Sequence, residues 1–149
     1  MIDALTDTLE IRLLHPDAIA PARMRSGDAG YDLRSTERVS IPPAGRRLVG
    51  TGIAVALPGG VAGLVTPRSG LALEHGIGLL NAPGLIDPGY RGEIGVILQN
   101  VSERRYMVEV GDRIAQLLLV PYWAPDLAVV TELPVTERGS HGFGSSGRR

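Results

Sequence analysis

The chain has no cysteine, no lysine and only six aromatic residues among 149. Without cysteine there can be no disulfide, no thiol nucleophile and no thiolate-bound metal. Without lysine, Schiff-base chemistry and a P-loop lysine are excluded. All fifteen basic residues are arginine, whose planar fork suits phosphate or carboxylate. Aromatics are 4% of the chain against 44% hydrophobic residues, so a core must be built mainly from Val, Ile, Leu and Ala. A net charge of −1 carries no electrostatic footprint for duplex nucleic acid or an anionic membrane, and neither is expected as a partner. The uncharged run "LVGTGIAVALPGGVAGLVTP" (48–67) is interrupted by five glycines and a central "PGG". It reads as two β-rich runs flanking a turn, not as a membrane span. The opening "MIDALTDTLE" has no basic stretch followed by an apolar run, so it does not read as a signal peptide, and the expected location is the cytoplasm.

What is present in quantity is glycine and proline, 20 and 11 residues, which mark many turns. Turn signals recur at intervals of about 8–12 residues, the spacing of a β-sandwich or barrel. "TLEIRLL" (8–14) alternates, with Leu9, Ile11 and Leu13 on one face of a half-buried strand. "RVSI" runs into the turn "PPAG", "RRLVGTGIAVAL" (46–57) is strand-like up to "PGG", and "VAGLVTP", "EIGVILQNV" and "RIAQLLLVPY" continue the β pattern. One short helix is expected at "SGLALEHG" (69–76), with Ser69 as N-cap and Gly76 as terminator. The fold class is all-β, a jelly-roll-like double sheet over residues 1–136. Residues 137–149 are too polar and Gly-rich to pack and form a separate tail.

Several segments could carry chemistry. In "NAPGLIDPGYRGE" (81–93), Asp87 sits behind an apolar pair and before Pro-Gly. It reads either as a rigidly held general base or as an ordinary turn starter. Tyr90 is a packing residue or a platform for a ligand ring. "TPRSGLA" (66–72) puts Arg68 and Ser69 at the start of the short helix, as an anion site or a simple cap. "GDAGYDLRS" (27–35) holds two Asp, at 28 and 32, that suit a divalent ion directly or through water, or a Gly-based turn. Gln116 lies inside the apolar run of "GDRIAQLLL" and needs a hydrogen-bond partner. The three histidines, His15, His75 and His141, have neither triad pattern nor metal-ligand spacing. "GFGSSG" (142–147) matches G-x-G-x-x-G, but no strand precedes it and too few residues follow for a helix. What the tail does offer is Arg138, a run of backbone N–H donors and Phe143, the single Phe of the chain, a set that suits a mobile lid for a phosphorylated ligand with a flat ring.

The segments "DAGYDL", "PRSGLA", "GLIDPGYRGE", "GDRIAQLLL" and "RGSHGFGSSG" stand in this order. Together they closely resemble the five motifs of the trimeric deoxyuridine triphosphate nucleotidohydrolases (dUTPases), over residues 28–147. The resemblance implies a distorted β jelly roll with a flexible C-terminal lid and a homotrimer with shared active sites. It implies Mg²⁺-dependent hydrolysis of dUTP to dUMP and pyrophosphate, which keeps uracil out of DNA and supplies dUMP for thymidylate synthesis. By the same resemblance Asp87 activates the water that attacks the α-phosphorus. Asn81 reads uracil with backbone at Gly84, Leu85, Ile86 and Gly95, and Tyr90 packs on the deoxyribose and leaves no room for a 2′-hydroxyl. Arg68, Ser69 and Gly70 hold phosphates, Ser69 near the bridging oxygen of the leaving group, and Gln116 adds a contact. Asp32 steadies Mg²⁺ through water, Arg138 grips the γ-phosphate and Phe143 stacks on uracil. His141 stands at a variable position and takes no role. The dCTP deaminases share the fold, but a Glu-centred catalytic segment is expected there, where this chain has "GLIDPGY". A non-catalytic binding jelly roll is the other alternative, and the set Asp87, Ser69 and Arg138 speaks against it.

Overall fold

Short apolar runs stopped by glycine or proline become short strands in the computed structural model, which describes residues 8–141. Among the described residues these are β1 (Glu10–Leu13), β2 (Tyr31–Arg34), β3 (Val39–Ile41), β4 (Arg46–Gly50), β5 (Ile53–Ala56), β6 (Val61–Thr66), β7 (Ile77–Leu79), β8 (Gly84–Ile86), β9 (Gly95–Asn100), β10 (Tyr106–Val108) and β11 (Arg113–Pro121), with one helix, α1 (Ser69–His75). All strand pairs are antiparallel. They form four small sheets, β1–β5, β3–β10, β2–β11–β6–β8 and β4–β9–β7. The expected jelly roll is therefore present in distorted form, its layers divided into smaller sheets around one core.

That core is aliphatic, as the shortage of aromatics requires. Leu33, Ile41, Val49, Ile53, Ile94 and Leu98 are fully buried, and Tyr31 and Tyr106 only flank them. Each such aliphatic side chain contributes about 1.5–3 kcal/mol through its removal from water. Among the buried polar residues, Asn100 is bonded inside: its Nδ2 donates to the carbonyls of Ile41 and Arg104, and its Oδ1 accepts from Ser102.

Three local expectations need correction. "RRLVGTGIAVAL" is not one strand but two, β4 and β5, in different sheets. The break is at Gly52, whose φ of +65° is left-handed and whose missing Cβ would otherwise lie 2.7 Å from Ala18 Cβ. Ile11 and Leu13 do not pack on the core; they are 40% and 52% exposed, and of that alternating face only Leu9 joins it. The N-cap of α1 is Arg68, in extended conformation and without a side-chain capping bond, so Ser69 is the first helical residue. Gly76 does end the helix, at φ 65°, with its N–H donated to the carbonyls of Ala72 and Leu71.

The four-stranded sheet positions most of the residues that could carry chemistry. β11 is its spine, paired with β2 on one side and β6 on the other, and β8 closes the edge. Beyond Pro121, residues 122–141 are exposed and contain no strand or helix. Among the described residues no helix is long and apolar enough to cross a membrane.

Candidate active site

β8 runs antiparallel to β6, with Gly84 opposite Val65 and Ile86 opposite Gly63. Asp87 then opens a tight turn that closes with the Tyr90 N–H donating to the Asp87 carbonyl at 3.0 Å. Between this hairpin and β9 lies a pocket of about 220 Å³. Val65, Leu79, Val96 and Ile97 give it apolar walls, and Asn81, Asp87 and Glu93 bring polar groups. Gly84, Leu85, Ile86, Tyr90 and Gly95 complete the lining. The volume is small beside pockets for drug-sized ligands and suits one flat ring and its sugar. Seven residues singled out in the sequence, Asn81, Gly84, Leu85, Ile86, Asp87, Tyr90 and Gly95, thus converge on a single cavity. Asp87 and Asn81 are exposed at its surface.

A second group gathers around the same sheet's spine, β11. Gln116 lies opposite both Asp32 on β2 and Thr66 on β6, which makes one row across three strands. The Asp32 side chain is 7% exposed and sits between two guanidinium groups. Arg113 Nη1 donates to its Oδ2 at 3.1 Å, and Arg68 Nε lies 3.5 Å from its Oδ1. Oδ1 is buried and accepts no hydrogen bond. Arg68 is also tied by its Nη1 to the Arg113 carbonyl at 3.0 Å. A register shift between Arg113 and Ala115 makes this cluster possible. Residues three apart on a regular strand face opposite sides. The bulge re-aims Arg113 so that it joins Gln116 beside Asp32. Ser69 and Gly70 follow as exposed residues at the start of α1. Asp28 does not join Asp32. Its Oδ2 accepts the Arg25 N–H in a local turn, while Asp32 is held by Arg113 and Arg68. No group of three or more His, Asp or Glu capable of holding a metal occurs among the described residues.

Asp87 and Ser69 lie towards opposite ends of β6. Asp87 continues from Ile86 towards the first residues of β6, whereas Ser69 follows its last. The stretch from Ala62 to Thr66 alone spans about 13 Å at a rise of about 3.3 Å per residue. Arg138 is exposed, and its Nε donates to the His141 carbonyl. Phe143 lies outside the described residues.

The family model described as dUTPase matches residues 17–147. The chain belongs to the dUTPase family. It is 49% identical to the deoxyuridine 5′-triphosphate nucleotidohydrolase of Wolinella succinogenes, over 94% of this chain and 95% of that one. It is equally similar, at 49%, to the protein of the same name from Paramecium bursaria Chlorella virus 1, over 94% and 98%. Among solved structures, a mutant of the Staphylococcus bacteriophage 80alpha dUTPase with dUpNHpp superposes with a TM-score of 0.89 at 35% identity, covering 95% of this chain and 99% of that one. A mutant dUTPase from phage phi11 of S. aureus, in which coordination of a structural Mg(II) ion is described, superposes with a TM-score of 0.81 at 32% identity, covering 87% and 100%. Two residues of this dUTPase are not singled out by its sequence. Glu93 lines the pocket, and Arg113 holds Asp32. Both lie inside motifs that the sequence displays, but their partners are 41 and 81 residues away, so no local signal points to them.

Proposed function

We propose a route for the family reaction, hydrolysis of dUTP to dUMP and pyrophosphate, in terms of this chain's residues. The uracil ring enters the 220 Å³ pocket, where the Asn81 amide and the backbone at Gly84–Ile86 and Gly95 read its edge. Tyr90 lies against the deoxyribose and leaves no space for a 2′-hydroxyl. Asp87, exposed at the pocket mouth, takes a proton from a water molecule as its oxygen attacks the α-phosphorus. The bond from that phosphorus to the bridging oxygen breaks, and pyrophosphate leaves. Arg68, Ser69, Gly70 and Gln116 hold the phosphates and neutralise the charge that builds on them. Arg138 and Phe143, on a lid of residues 137–149, grip the γ-phosphate and cover the base, which keeps bulk water out.

Magnesium keeps most of its waters and takes only one or two protein carboxylates together with substrate phosphates. Asp32 fits that demand, since its buried Oδ1 has no hydrogen bond and lies beside phosphate-binding Arg68. It would hold Mg²⁺ through water, and the bound ion would supply further charge neutralisation on the phosphates.

The separation of Asp87 from Ser69 along β6 supports a site shared between subunits. In a homotrimer, Asp87 and its pocket come from one chain, the Ser69 group from a second and the lid from a third. The observation that carries the reading is the convergence of seven predicted residues on one nucleoside-sized pocket. It is tested by measuring pyrophosphate and ammonia released from dUTP, dCTP, dTTP and UTP. Pyrophosphate from dUTP is expected, and ammonia from dCTP, or no product from any of them, would refute it.

A further inference from the structure

The Tyr90 hydroxyl donates to the backbone carbonyl of Glu93 at 2.9 Å. The ring folds so closely over residue 92 that a Cβ there would collide with the phenol oxygen and lie 2.6 Å from Cζ. Only glycine fits at 92, and the ring's position follows the backbone of residues 92 and 93. That backbone is held from behind. Glu93 Oε1 accepts the Gly52 N–H at 2.7 Å, a charge-assisted bond to the turn between β4 and β5. The same oxygen passes within 2.8 Å of where a Cβ on Gly50 would stand. The next residue, Ile94, is wholly buried; its N–H donates to the Ile53 carbonyl at 2.8 Å, and its carbonyl accepts the Thr51 hydroxyl at 2.6 Å. Three bonds to residues 51–53 thus brace the carbonyl that anchors Tyr90.

We infer that Glu93 is a positioning residue for sugar selection: its carboxylate stiffens the anchor of Tyr90 and so decides whether the pocket admits ribose. The inference rests on the reading that Tyr90 lies against C2′. A 2′-hydroxyl needs space that only a displaced ring can give. A loosened brace would supply that space without removing any group that touches the phosphates.

The test is the ratio of kcat/KM for dUTP to kcat/KM for UTP in wild type, Glu93→Ala, Glu93→Asp and Glu93→Gln. Alanine removes the acceptor and aspartate falls one methylene short of Gly52. Both should lower the ratio at least about tenfold, chiefly by raising kcat/KM for UTP. Glutamine retains an acceptor oxygen and should remain closer to wild type than alanine does. General structural damage would lower both substrates together and would not raise UTP turnover. If Glu93→Ala does not fold, Glu93→Asp carries the same expectation. An unchanged ratio in a variant that still cleaves dUTP would overturn the inference and leave the assigned reaction standing, as would a Gln variant as permissive as Ala. A wild-type chain that fails to cleave dUTP would overturn the assigned reaction itself.

Discussion

Replacing Asp32 with asparagine removes one negative charge from between two guanidinium groups at nearly constant side-chain size. The cost follows from the geometry. The contacts are 3.1 Å to Arg113 and 3.5 Å to Arg68, around a carboxylate that is 7% exposed. Removing one partner of a fully buried pair costs about 3–5 kcal/mol, because the charge left behind is uncompensated. An exposed pair is worth about 0–1 kcal/mol. Here the carboxylate is buried but the arginine side chains are 24% and 34% exposed, so water screens part of the loss. Asp32→Asn should therefore destabilise the fold by about 1–3 kcal/mol. Urea unfolding at fixed protein concentration measures this. The midpoint should fall with little change in slope. Arg113→Met should cost less in the Asp32→Asn background than in wild type, since its partner's charge is already gone. A loss below about 0.5 kcal/mol, the range of ordinary surface substitutions, together with an additive double mutant, would refute the buried cluster.

Asp87→Asn should lower turnover of dUTP by about 10²–10⁴ or more while leaving affinity for a non-hydrolysable analogue near wild type, and near-normal turnover would remove Asp87 as the base. If the chain forms the proposed closed trimer, Asp87→Asn chains refolded together with chains cut after Glu137 should regain activity, since random assembly would let roughly a quarter of sites draw Asp87 and the lid from competent chains. No recovery, once mixed trimers are verified by mass, would rule out the shared site. Burial, with Asp112 adding to it and Arg68 opposing it, raises the Tyr106 phenol above its ordinary value of 10. The folded chain then keeps a proton that the unfolded chain has lost, so this contribution to stability is complete below pH 10 and falls as pH rises above it. Tyr106→Phe should flatten that alkaline loss in urea titrations, and identical slopes in both proteins would contradict it.

Much of the candidate pocket's lining was legible because its motif combines a local turn with the residues that the turn presents. Asp87 and Tyr90 close the same turn, and Gly84 to Ile86 form one short strand leading into it. The helix was legible for the same reason at its end, where Gly76 takes a left-handed conformation that suits glycine. Its start was not, because a serine before an apolar run looks like a cap, while the extended backbone of Arg68 takes that position. Ile11 and Leu13 show the limit of alternation: it reveals which residues share a face, and β1, paired only with β5, turns that face outward in the single chain.

The sequence by itself determined the aliphatic core, the many turns and the all-β class. These depend on composition and on neighbours a few positions apart. The tertiary structure decided how one run of β-formers divides at Gly52 between two sheets, and how a bulge at residues 113–115 swings Arg113 onto Asp32. It also decided that the Glu93 carboxylate crosses to Gly52, and that Asp87 and Ser69 lie towards opposite ends of β6. Each of these is a contact or a separation between residues distant in the chain. Such relations are set by which strands pack together to bury the whole core, and no local propensity encodes that choice.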